Sequence, residues 1–163
     1  MTKVDMIPYS TIHQFILTWT IFLFVLQSCG STKMAPYDDD SYQKTVEIKV
    51  RASALMDHAT EPYEIHSDTV EELFMEIEGI KRYELSRASN DITYKMWQLL
   101  TDEDRFLLAG FLKRWKENEQ LSGVFVDAAK PQVIEAFDLL IQFESNKDTK
   151  ARSNLEDFIL KNQ

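Results

Sequence analysis

The stretch Val70-Glu-Glu-Leu-Phe-Met-Glu-Ile-Glu-Gly-Ile80 sets the fold class. Val70, Leu73, Ile77 and Ile80 recur at spacings of three and four residues. That pattern collects apolar side chains on one face of a helix and scatters them over both faces of a strand. Phe74 and Tyr83 widen the stripe, while Glu71, Glu72, Glu76 and Glu78 form the opposite face. Lys81 and Arg82 follow near the C-terminal end, where cations suit the helix dipole. The pattern predicts a helix from about Pro62 or Asp68 to Ser86, with Asp68 and Glu71 at the spacing of a capping box.

The same period extends in both directions. Upstream, Ile48, Ala52, Leu55 and Ala59 make a second stripe within residues 42–60. Val46, Ile48 and Val50 also alternate as a strand would, but the helical spacing persists longer, and Pro62 closes the segment. Downstream, Asn90 is placed to cap a helix carrying Met96, Trp97, Leu99 and Leu100. Thr101-Asp-Glu-Asp104 reads as a fresh helix start leading to Leu108, Phe111, Leu112 and Trp115. Residues 91–118 are therefore one kinked helix or two short ones. Ser122 caps a further segment with Phe125, Ala129, Val133, Ala136, Phe137, Leu140 and Phe143, and Pro131 inside it predicts a kink or break. A last helix is expected over about Asn154–Lys161, after a polar stretch at 146–153. The fold expected is all-α, a four- or five-helix bundle over residues 41–163 with short antiparallel connections.

Composition agrees. The chain has 163 residues, 44% hydrophobic and 28% charged, which is one globular domain's worth. Gly and Pro number four each, too few for a turn-rich all-β fold. A single Cys excludes an internal disulfide framework and any four-Cys zinc site. The net charge of −9 argues against nucleic acid as a partner.

The first thirty residues read as an address. A leader at 1–14 precedes Phe15-Ile-Leu-Thr-Trp-Thr-Ile-Phe-Leu-Phe-Val-Leu26, twelve residues without a charge. That is short of the roughly 20 residues of a spanning helix and suits a signal-peptide core. The run meets Leu26-Gln-Ser-Cys29-Gly30. This segment resembles the lipobox of bacterial lipoproteins, with an aliphatic residue at −3, a small residue at −1 and Cys at +1. The resemblance covers the signal segment alone. It implies that residues 1–28 are a signal peptide cleaved before Cys29, that Cys29 carries diacylglycerol, and that the new amino terminus is acylated. Several acyl chains would hold the protein firmly to a membrane without a transmembrane helix. The implied location is the bacterial cell envelope, periplasmic or surface side, with Gly30 at +2 favouring the outer membrane if the cell is Gram-negative. Residues 29–40 then read as the lipidated Cys and a flexible tether, with Asp38-Asp39-Asp40 solvated. Removing the leader takes away one acid, Asp5, and one base, Lys3, so the mature charge is still −9.

Few residues point to chemistry. His58 and His66 are the histidines outside the leader, and they flank the turn between the first two helices with Asp57, Glu61 and Glu64 nearby. Imidazoles with carboxylates can hold zinc, copper or iron, although this spacing is not that of a di-iron bundle or a zinc protease. Met56, Met75 and Met96 read as core filler rather than haem ligands, and no cofactor is expected. Aromatic residues are dense in the second half, which would allow an apolar ligand between helices. Lys113, Arg114 and Lys116 make a local basic patch that could meet an acidic partner. No hydrolase elbow, phosphate loop or dinucleotide fingerprint appears. The expectation is a non-catalytic, lipid-anchored envelope protein that binds another protein or serves as an accessory. The alternative is a small metal- or apolar-ligand-binding protein using His58 and His66 or an interhelical pocket.

Overall fold

The computed structural model describes residues 34–163, and the expectations for the signal segment and Cys29 fall outside them. Six α-helices and no strand occur among the described residues, so the all-α bundle is observed. The helices are α1 (Asp39–Asp57), α2 (Tyr63–Ser86), α3 (Asp91–Leu100), α4 (Leu108–Asn118), α5 (Gly123–Asn146) and α6 (Thr149–Asn162). A short 3₁₀ turn, His58–Thr60, follows α1. None of these helices is long and apolar enough to cross a membrane.

The expected stripes face inward. Ile48, Ala52, Leu55 and Ala59 are buried, and so are Val70, Leu73, Ile77 and Ile80. Val50 is largely exposed, as the helical reading of α1 requires and a strand alternation would not. α1 packs between α2 and α5, α6 covers α3 and α5, and α4 lies against α2. Trp97 sits edge-on to Phe137 at 6.0 Å in the middle of the core.

Several boundaries differ from expectation, each for a local reason. Residues 34–40 are not a free tether. The Ala35 N–H donates to the Ser89 carbonyl at 3.0 Å, and Arg87 donates to the Pro36 carbonyl at 2.8 Å. Asp38 caps α1 by accepting from the Ser41 N–H at 2.8 Å, and Asp39 and Asp40 fill the first turn, where acids are favoured. Asp68 caps nothing, because α2 already begins at Tyr63, one residue after Pro62. Residues 91–118 are two helices. Thr101 turns back to the Trp97 carbonyl at 2.8 Å, and Asp102 accepts from the Asp104 N–H at 3.0 Å. That stretch therefore closes α3 and forms a turn instead of starting α4. α5 runs unbroken through Pro131, because Pro131 and Asp127 both lie on the solvent face. The Asp127 carbonyl that loses its helical partner can then meet water. α6 starts at Thr149, earlier than expected, because Asp148 accepts from the Ala151 N–H at 2.7 Å.

A polar knot sits at one end of the bundle. Glu84 and Glu144 are fully buried, from α2 and α5. Ser41 and Asn90 donate to Glu84, and Arg87 donates to it at 3.0 Å. Thr93 donates to Glu144 at 2.5 Å, and Lys147 Nζ lies 2.7 Å from the same carboxylate. Four helices thus share one satisfied carboxylate pair. Asn90 was expected to cap α3 with its side chain, but that side chain is spent on Glu84.

Candidate functional site

The opposite ends of α1 and α2 are joined by the 3₁₀ turn and Glu61-Pro62, and this connection brings the two histidines together. His58 ends α1, and His66 lies in the first turn and a half of α2. Their rings stack at 4.9 Å with 25° between planes. Glu61 stands between them: its Oε1 is 3.0 Å from His58 Nδ1 and its Oε2 is 2.8 Å from His66 Nε2. One donor atom from each of the three residues lies within 4.8 Å of the others. The hydrogen bonds from His58 and His66 hold the Glu61 carboxyl below the usual carboxylate range.

The backbone under this cluster is pinned by the connection between α4 and α5. The Trp115 indole N–H donates to the Glu61 carbonyl at 2.9 Å. The Leu121 N–H donates to the Ala59 carbonyl, and the Tyr63 N–H to the Glu119 carbonyl, each at 2.8 Å. Tyr63 packs edge-on to Trp115 and His66 tilts over it, both at 5.4 Å. His58 is half exposed, whereas His66 is mostly covered, with 15% of its side chain open. The arrangement offers two imidazole nitrogens and one carboxylate at a firm backbone site open to solvent.

Lys113 stands between the other two basic residues, bordering one groove with Arg114 and another with Lys116. Lys113 Nζ lies 3.5 Å from Asp104 and 3.8 Å from Glu103. The Arg114 guanidinium sits 5.0 Å over the Phe125 ring. Lys116 borders, with Lys113, the groove beside Tyr63 and Glu64. Most of the expected aromatic residues fill the core: Trp97, Trp115, Phe137 and Phe143 are buried. Phe111, also buried, and the partly buried Phe125 stack at 5.9 Å along a groove of about 440 Å³ between α4 and α5, rimmed by Phe106. Phe106 is 79% exposed, and Val124 on α5 is 82% exposed. Phe106 belongs to the aromatic-dense second half of the chain but stands outside the core. Its position outside the helical stripe of α4, within the acidic turn after α3, is the signal that it faces water.

No protein-family model, no curated protein and no solved structure matches this chain.

Proposed function

We propose that the chain is a lipid-anchored bacterial cell-envelope protein whose helical domain is a non-catalytic protein-binding or accessory module. The observation that carries this reading is Leu26-Gln-Ser-Cys29 standing ten residues before the first helix, Asp39–Asp57, of a domain whose stripes close a core on themselves. A lipid on Cys29 would hold that domain at a membrane surface, with no spanning helix required of the bundle. The face best suited to a protein partner is the groove between α4 and α5. Phe106 leaves large apolar surface to water there, beside Arg114 and Lys113.

Photo-crosslinking in intact envelopes tests the reading. A crosslinking residue at Phe106 should give a discrete adduct, and the same residue at Ile65, exposed near the start of α2, should not. The adduct should disappear in an Ala128→Glu background, which puts a charge on the groove wall. Equal labelling from both positions, or none from Phe106, contradicts a specific protein partner on this face.

A further inference from the structure

We propose that His58, Glu61 and His66 bind one divalent transition-metal ion of the zinc or copper class. The donor set selects that class. Imidazole nitrogens suit zinc, copper and nickel, whereas magnesium and calcium demand mostly oxygen ligands. The geometry is already close. Glu61 lies between the imidazoles, hydrogen-bonded to one through each carboxylate oxygen, at 3.0 and 2.8 Å. A metal ion would take the place of the protons in those two contacts, at about 2.0–2.2 Å from each donor.

The adjustment falls on the side chain free to make it. His58 is half exposed and ends a helix, so its ring can swing toward Glu61 and His66. The other two donors are held. His66 leans on Trp115, and the Glu61 backbone is fixed by the Trp115 indole. The N-terminus of α2 opposes a cation, which makes the Glu61 charge necessary and not incidental. Three protein donors leave a tetrahedral position open to water or to a donor from outside the chain.

Calorimetric titration of the purified protein in detergent at neutral pH tests this. Zinc chloride should bind at one ion per chain, and magnesium chloride should give no heat above dilution. His58→Ala and Glu61→Gln should each weaken zinc binding by at least about 10-fold. Both side chains are about half exposed, so the thermal midpoint of the metal-free protein should hold in each. The proposal is overturned if zinc does not bind stoichiometrically. It is also overturned if the affinity survives both variants or is matched by magnesium.

Discussion

Two glycines on helices should respond with opposite sign to the same substitution. Gly79 lies on the solvent face of α2, and a Cβ there meets no atom within 4 Å. Gly79→Ala should therefore stabilise the protein by about 0.5–1 kcal/mol, the helix-interior cost of glycine relative to alanine. Gly110 lies in the first turn of α4, under the turn that leads into it. A Cβ there comes to 3.0 Å from the Arg105 carbonyl carbon, 3.3 Å from the Glu103 carbonyl oxygen, and closer still to the Arg105 oxygen. These are backbone atoms, so the 102–107 turn itself must move. Overpacking of that kind costs about 1–3 kcal/mol. Set against the same propensity gain, Gly110→Ala should be net destabilising by about 1–2 kcal/mol. For a domain of this size each kcal/mol moves the thermal midpoint by roughly 2–6 °C. Parallel melts followed by circular dichroism would show the Gly79 variant above wild type and the Gly110 variant below it. A Gly110→Ala protein as stable as wild type would refute the close packing of the 102–107 turn on α4.

The two kinds of capped or buried carboxylate make distinct pH predictions. Glu84 has its acid strength reduced, chiefly by burial. The native state therefore holds the Glu84 proton more tightly than the unfolded chain, and stability from this group is lost as pH rises through the native value. Glu84→Gln should gain on wild type in thermal midpoint between pH 4.5 and neutral, and a flat difference would exclude it. Glu84→Ala, which strands Ser41, Asn90 and Arg87, should lose about 3–5 kcal/mol by denaturant unfolding. Asp38 is shifted the other way, chiefly by the Ser41 N–H. Asp38→Ala should cost about 1 kcal/mol at neutral pH, with the deficit vanishing as pH falls below 3.8 through the native value. Trp115→Phe should destabilise more than Trp97→Phe by about 1 kcal/mol. The Trp115 indole donates to Glu61, whereas the Trp97 indole has no partner among the described residues. Equal losses in chemical unfolding would count against that hydrogen bond.

The helices were legible because burial follows a simple period. Val70, Leu73, Ile77 and Ile80 point inward as their spacing requires, and so do Leu108, Phe111, Leu112 and Trp115. The polar knot was written in the same period and missed, because polar residues were read as surface. Glu84 falls four residues beyond Ile80, Glu144 four beyond Leu140, and Ser41 seven before Ile48, all on the buried stripes. Caps were harder. Asp38, Asp68, Asn90 and Asp148 are equally good candidates by residue type, and only tertiary context decides which side chain is spent on a cap and which on a partner. The meeting of His58 and His66 was anticipated from their places on either side of a turn. Glu61 as the bridge, and Trp115 beneath it, depend on the α4–α5 connection reaching across, which no local pattern encodes.

Lipid attachment is the central claim, and metabolic labelling tests it directly. Cells expressing the protein are grown with labelled palmitate, and the wild type is compared with Cys29→Ala. The wild-type band should be labelled and the variant unlabelled, with the same thermal midpoint for both purified proteins. A Cys29→Ala protein that still takes up palmitate and migrates at the mature mass of the wild type would contradict it.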